Sequence, residues 1–373
     1  MKPIKIYAVG DMMFGDSNLN IGSGIRSYCR RYGYSHSFSK VKDILNICDC
    51  VLIGNLECAL SSNKAAYRTK PYIGDIELVD VLHELGFDVV NLANNHTFEY
   101  GLNPATETQD KLEQLGITPI GLSTNNSNEG ILNINGISLG FLGFSMVPTI
   151  KFDLFERNLS KIIKSVELSA SKHDLVIISI HWGAEFVTYP SKQQIQFAHR
   201  LIDAGADVVL GHHPHVLQPI ELYKSGLIAY SLGNFIFDTP WMPLTRKSII
   251  LDISIPINRD EEILANVIPI LINDDYQPVP VSDSRLCIED FNNNFINNFT
   301  YQNNSFYSDI EFTKIADHNR HQASMQMKQF FLKQPHKISL STYKYLISKR
   351  VSQKLKRRKT ITSDLQNTPW KLT

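Results

Sequence analysis

Five short apolar runs constrain this chain most, because each is too short for a buried helix and each stops at residues able to do chemistry. The run at 4–9 ends at Gly10-Asp11, the run at 50–54 at Asn55-Leu56-Glu57, and the run at 87–92 at Ala93-Asn94-Asn95-His96. The run at 174–180 ends at His181-Trp182-Gly183, and the run at 207–210 at Gly211-His212-His213-Pro214-His215. Runs of this length read as strands, and the stretches 41–50, 76–85, 104–115, 155–170 and 193–204 between them carry helical spacing. Such alternation predicts an α/β protein. Asn135-Gly136 between two apolar stretches signals a hairpin, and 247–255 with 263–272 reads as a closing pair of strands. The sheet is therefore expected to be mixed rather than wholly parallel. In open α/β sheets chemistry sits at the carboxyl ends of strands, so the five tips are expected at one edge of one sheet.

At 373 residues and 43% hydrophobic content the chain can bury a sizeable core. A formal net charge of zero supplies no global field toward nucleic acid, and no specific nucleic-acid partner is expected. No run is long enough for a transmembrane segment, and the N-terminus enters a strand with no apolar signal core, which reads as cytoplasmic. The five cysteines are odd in number and show neither zinc-ribbon nor disulfide-framework spacing, so free thiols in a reducing compartment are expected. Residues 18–39 read as an irregular insertion lining a substrate cleft. The character changes near 273: residues 293–304 are Asn-rich, and 349–359 carry seven basic residues in eleven with no acid. A boundary near Asp275 divides a main domain, 1–275, from a C-terminal extension, 276–373, irregular at first and then helical and basic. The basic tail reads as a solvated segment or as a contact for anionic polymer, nucleic acid or a membrane surface.

Taken singly, each strand tip reads as a cap or turn residue, and the three clustered histidines fit a polar loop as well as a metal-binding turn. Together, carboxylate oxygen, amide oxygen and imidazole nitrogen suit a divalent ion such as Mn, Zn or Fe. The number of groups suffices for one ion, or for two bridged by a carboxylate. Asp16 is a further possible acid. Arg68 and Lys70 read either as holders of an anionic group or as solvated loop charges, and Trp182 and Tyr189 read as packing residues.

The series Gly10-Asp11, Asn55-Leu56-Glu57, Asn94-Asn95-His96…Tyr100-Gly101, His181-Trp182-Gly183, Gly211-His212-His213-Pro214-His215-Val216 and Ser231-Leu232-Gly233-Asn234-Phe235 resembles the capsule and poly-γ-glutamate synthesis (CapA/PgsA-type) proteins. That family looks like a branch of the calcineurin-like metallophosphoesterases, and the likeness covers roughly residues 5–255. It implies a four-layer α-β-β-α sandwich with a metal site at the strand carboxyl ends, followed here by a C-terminal appendage. It also implies roles. Asp11 would bind a first ion, Glu57 would bridge, and Asn95, His181 and His213 would complete a second, with His215 returning to the first. His96 would give a proton to the leaving group after attack by metal-activated water. Asn55, His212 and Asn234 are neighbours expected to hold ligands or substrate. Glu99 reads first as a helix-start acid and second as an acceptor for His96. Two departures stand out: Asp11-Met12-Met13 lacks the histidine of the phosphoesterase Asp-x-His, and Glu57 replaces an aspartate.

The implied function is a metal-dependent hydrolase cutting a phosphoester or an amide in capsule or poly-γ-glutamate metabolism. Its substrate would be an anionic polymer or a small phosphorylated or amide compound, and capsule-synthesis proteins would be its partners. The alternative is a non-catalytic metal- and polymer-binding component of an assembly or export complex.

Overall fold

Strands form from the apolar runs because both of their faces are covered, so continuous hydrophobicity replaces alternation. The computed structural model describes residues 2–46, 49–122, 129–148, 157–239, 241–258, 261–281, 285–295, 309–333, 339–340 and 342. The basic stretch 349–359 lies outside them.

The first half contains β1 (Ile4–Met12), α1 (Ile25–Tyr32), α2 (Lys42–Asn46), β2 (Val51–Leu56), β3 (Ala59–Ser61), β4 (Ile73–Asp75), α3 (Leu78–Glu84), β5 (Phe87–Asn91), α4 (Leu102–Gln114) and β6 (Thr118–Ile120). Then follow β7 (Glu129–Ile134), β8 (Ile137–Ser145), α5 (Leu159–Ala170), β9 (Leu175–His181), α6 (Lys192–Asp203), β10 (Val208–His212), β11 (Ile220–Tyr223) and β12 (Gly226–Ala229). The chain continues through β13 (Asn234–Ile236), β14 (Lys247–Ile255), β15 (Leu264–Ile272), β16 (Pro278–Pro280), β17 (Leu286–Cys287), α7 (Ile288–Phe295) and α8 (Asp309–Lys333).

Among the described residues two mixed sheets result, beside a separate parallel pair of β3 and β4. The first runs β16-β15-β14-β1-β2-β5-β6, with β13 beside the end of β1 and β17 beside β15; the second runs β11-β12-β10-β9-β8-β7. They pack face to face through a dry layer in which Ile6, Ile53 and Val89 meet Phe141, Ile177 and Val208. The outer face of the first sheet is covered by α1 to α4 through Ile25, Leu45, Leu82 and Leu112. The outer face of the second is covered by α5 and α6 through Val166, Ala198 and Leu201. The layers are therefore α-β-β-α. The Asn135-Gly136 hairpin forms between β7 and β8, with φ of 53° and 86° at its two turn residues, as a primed turn requires.

Three sequence expectations are corrected. The five tips do not share one sheet: β1, β2 and β5 belong to the first, and β9 and β10 to the second. Local pattern marks a strand without marking its partners, and pairings such as β1 with β14 span most of the chain. Residues 18–39 are not irregular, because they contain α1 and a 3-10 turn over Tyr34–Phe38. The sheet does not end near Asp275 either. β16 and β17 both pair with β15, and Phe291 on α7 is fully buried between the sheets. Composition misses this because short edge strands and one buried aromatic leave little trace in it. Cys29, Cys58 and Cys287 are free thiols.

Candidate metal centre

Register brings the polar tips together. In the first sheet Asn234, Asp11, Asn55 and Asn91 lie side by side on β13, β1, β2 and β5. In the second, Ser145, His181 and His212 align on β8, β9 and β10. The row in the first sheet is a hydrogen-bond ladder. Asn91 Nδ2 donates to Asn55 Oδ1 at 3.0 Å, and Asn55 Nδ2 donates to Asp11 Oδ1 at 2.8 Å. The pairing of β1 shifts register on both sides near Asp11, an irregularity that re-aims side chains at a sheet end.

The two rows meet because glycines let the sheets close on one another. A Cβ at Gly143 on β8 would come within 2.7 Å of the Gly121 Cα and 2.5 Å of Asn91 Oδ1. Across this contact His212 Nδ1 sits 3.1 Å from Asp11 Oδ1, His213 donates its backbone N–H to Asp11 Oδ2 at 3.1 Å, and His215 Nδ1 lies 3.4 Å from the same oxygen. His213 and His215 both have positive φ, 95° and 58°, a conformation that costs a non-glycine residue about 1–3 kcal/mol and persists only where surroundings enforce it. The enforcing contacts are the Asp11 bond to His213, Phe186 N–H donating to Pro214 O at 2.8 Å, and Asn234 Oδ1 at 3.0 Å from His215 Nδ1.

Glu57 lies at the middle of the site. His181 Nε2 is 3.4 Å from its Oε1 and His215 Nδ1 is 3.7 Å from its Oε2. Neither oxygen has a hydrogen-bond partner, though the residue is fully buried. Burial without partners pushes its carboxyl up to about 8, with the His215 charge pulling the other way. Asp11 behaves oppositely: burial would raise it, but His212 and His215 hold it well below the usual carboxylate range. Burial keeps His181 and His213 well below the ordinary imidazole value, hence neutral, the form that ligates metals. Burial also opposes a charge on His215, yet Glu57 and Asp11 outweigh it and push it up to about 10.

A buried carboxylate with neither oxygen hydrogen-bonded is costly unless a cation meets it. Two residue groups here can hold one: Asp11, Glu57 and His181, and Glu57, His213 and His215, each with ligand atoms within 4.8 Å of one another. Glu57 is common to both. The resemblance divides the ligands differently, joining Asp11 with His215 and His181 with His213. Those partners also touch, at 3.4 Å between Asp11 and His215 and 4.7 Å between the rings of His181 and His213. Asn95 joins the site with Oδ1 2.8 Å from His181 Nε2. The position of the missing imidazole is apolar core, for Met12 and Met13 are both fully buried among hydrophobic side chains.

His96 stands at the rim, 18% exposed, with Nδ1 2.7 Å from Glu99 Oε2 and its ring 4.7 Å from that of Tyr72. Burial opposes its charged form, but the bond to Glu99 and the charges of Glu57 and Glu99 prevail and raise it above the ordinary imidazole value. Glu99 thus serves His96 and does not start a helix, since α4 begins at Leu102.

The remaining candidates scatter. Asp16 is buried and accepts from Gly22 N–H, Ser27 N–H and Ser27 Oγ, and it pairs with Arg26 at 3.6 Å. Its work is to anchor α1. Arg68 and Lys70 are exposed on the 62–71 loop, which buried Arg26 holds through the carbonyls of Tyr67 and Arg68. Trp182 packs, stacked on Tyr230 and donating to its carbonyl. Sequence reasoning assigned no role to Asn91, Asn94 or Tyr72. Asn94 Oδ1 accepts the N–H of both His96 and Thr97 while its Nδ2 donates to Leu56 O, tying the His96 turn to β2. An Asx-turn signature, Asn two residues before His96, was the available signal.

The arrangement is a carboxylate-and-imidazole cluster between two sheets of an α-β-β-α sandwich, with residue groups that could hold a metal ion. The match to the bacterial capsule synthesis protein PGA_cap family spans residues 5–239, and the chain belongs to that family. It is 32% identical over 302 residues to the capsule biosynthesis protein CapA of Bacillus anthracis, covering 74% of this chain and 69% of the relative. It is 33% identical over 247 residues to the PGA biosynthesis protein CapA of Bacillus subtilis (strain 168), covering 62% and 63%. A solved structure of a novel phosphatase from Mycoplasma pneumoniae aligns with a TM-score of 0.49 at 12% identity, covering 73% of this chain and 94% of that one. Among the described residues no helix is long and apolar enough to cross a membrane.

Proposed function

We propose that this chain is a divalent-metal-dependent hydrolase that cuts a phosphoester or an amide bond in an anionic polymer of the capsule or poly-γ-glutamate type, working alongside other proteins of capsule synthesis. The observation that carries the reading is Glu57: a buried carboxylate with neither oxygen hydrogen-bonded, shared by two ligand groups and facing a rim histidine. A divalent ion held there supplies Lewis acidity and brings the pKa of water toward ~7. The protein's own residues do the rest. Asp11 is fixed by the Asn91–Asn55 ladder, Asn95 and His181 orient one another, and the strained His213-Pro214-His215 turn sets two imidazoles against Glu57. His96 has Nδ1 engaged by Glu99, so Nε2 is the atom that gives a proton to the leaving group. The names of the two Bacillus relatives support a capsule-type polymer as the substrate class. The test is a panel of phosphoester and γ-glutamyl amide substrates with wild type and His96→Ala. Lost turnover with metal content kept supports the reading; unchanged turnover on every accepted substrate overturns it.

One observation favours the non-catalytic alternative. Met13, where the phosphoesterase pattern has an imidazole, is sealed in apolar core and offers a hard ion nothing. Under that reading the metal-loaded protein binds polymer and turns over no member of the panel.

A further inference from the structure

Two phenylalanine rings lie within aromatic contact range of the His215 imidazole, Phe237 at 4.6 Å and Phe186 at 6.2 Å. Neither can ligate an ion or move a proton, so what they give His215 is a fixed seat. Each stands on a segment that meets α8.

Phe186 is the more informative of the two. Its φ is 65°, a left-handed conformation that a non-glycine residue keeps only where its surroundings enforce it. The enforcement comes from two sides. The Phe186 N–H donates to Pro214 O at 2.8 Å, inside the His213-Pro214-His215 turn, and the Phe186 carbonyl accepts from Asn319 Nδ2 on α8, also at 2.8 Å. One strained residue therefore joins the histidine turn to the C-terminal helix. Gln218 pins the chain just beyond, donating to Val187 O at 2.8 Å and to Tyr189 O at 3.1 Å, and leaves the Phe186 carbonyl to Asn319. On the Phe237 side, Trp241 sets its ring 5.7 Å from Phe331 and 6.3 Å from Phe330. Asn319 and Phe331 stand on one continuous helix, roughly 18 Å apart at the rise of an α-helix. Asparagine is a weak helix former in a helix interior, and α8 already docks through Ala316, Ala323 and Phe331, all buried. Helix formation and docking thus do not account for an amide at 319. The Phe186 carbonyl does.

We infer that Asn319 is a positioning residue for the metal centre: through Phe186 it holds the His215 imidazole where Glu57 and His213 can share an ion with it. α8 lies wholly beyond the family match at 5–239, so the support for this ligand comes from the C-terminal part of the chain. The inference rests on the metal-centre reading of the preceding subsection and extends it from the ligands to the helix that seats one of them.

The experiment compares the full chain as wild type, Asn319→Asp and Arg320→Gln. Asn319→Asp keeps the size of the side chain but turns the donor toward Phe186 into an acceptor. Arg320 is the exposed neighbour, paired with Asp317 on the same helix, and its variant is the control. The first readout is the His215 ring signal in metal-free protein labelled with ¹³C-histidine, assigned with His215→Gln. It should move in Asn319→Asp and stay in Arg320→Gln. The second is calorimetric affinity for Mn²⁺ and Zn²⁺, which Asn319→Asp should weaken roughly tenfold, the low end for groups that orient a metal ligand. The metal-free melting temperature should stay within ~4 °C of wild type. An unmoved ring signal in Asn319→Asp overturns the inference, as does wild-type metal affinity in that variant or an equal loss in the control. If the wild-type chain takes up neither ion, the metal-centre reading fails and the ring signal alone decides the inference. If it binds them and Asn319→Asp changes nothing, the inference is wrong and the metal-centre reading stands.

Discussion

His96 illustrates how little of a site resides in any one side chain. Its position depends on the Asn94 turn, its charge on Glu99, and its ring orientation on Tyr72. Replacing His96 with alanine should lower kcat by roughly 10²–10⁴-fold, the usual contribution of a positioned proton donor, and leave bound metal unchanged on elemental analysis. The pH dependence follows from the sign of its shift. His96 is held above the ordinary imidazole value, so the protonated donor persists below that raised pKa and is lost as pH rises through it. Glu99→Gln removes the charge that supports the proton, and the alkaline fall of the rate profile should move to lower pH; an unmoved profile contradicts the role given to Glu99. The sequence offered Glu99 as an acceptor for His96 only as a second reading, because the link exists only after Asn94 has folded the turn. Asp16 is the complementary case: the sequence shows a possible acid shortly after a strand tip, and only the fold shows its bonds to Gly22 and Ser27, which anchor α1.

The strands that carry the site were legible because each is almost wholly buried and reads as an apolar run, as at Leu175–His181, where every residue is buried. Their division into two sheets was not, since β1 pairs with strands more than 200 residues away. Nothing local records that. The same limit hides the significance of Gly143, which lies in an apolar strand yet marks where the sheets approach to build the site. Gly143→Val would place methyl groups against Asn91 Oδ1 and the Gly121 backbone. The expected outcome is a destabilisation of about 1–3 kcal/mol, the range for overpacking, in urea unfolding. A loss of metal affinity larger than that of a distant core variant of equal stability should accompany it, because the Asn91–Asn55–Asp11 ladder is displaced. Metal affinity tracking stability alone would contradict that view of the glycine contact.

For the molecule as a whole, the C-terminal part is not an appendage to a finished domain. β16 and β17 extend the first sheet, Phe291 fills the layer between the sheets, and Asn292 both accepts from and donates to the backbone of Ile220. Ending the chain after Asp275 should therefore cost at least the ~3–5 kcal/mol associated with deleting one buried aromatic. An unfolding midpoint equal to that of the full chain would contradict this. Composition pointed to a break there because the Asn-rich stretch begins soon after, and short edge strands carry too few residues to counter it. The central claim joins all three scales: the ends of five strands from two sheets converge on Glu57 to make one cation site. The most direct measurement is metal content by elemental analysis after equilibration with Mn²⁺ or Zn²⁺ and removal of free ion, for wild type and Glu57→Ala. The wild-type chain should retain at least one ion per molecule and the variant should lose most of it; a wild-type chain that retains none, or a variant that retains it all, contradicts the claim.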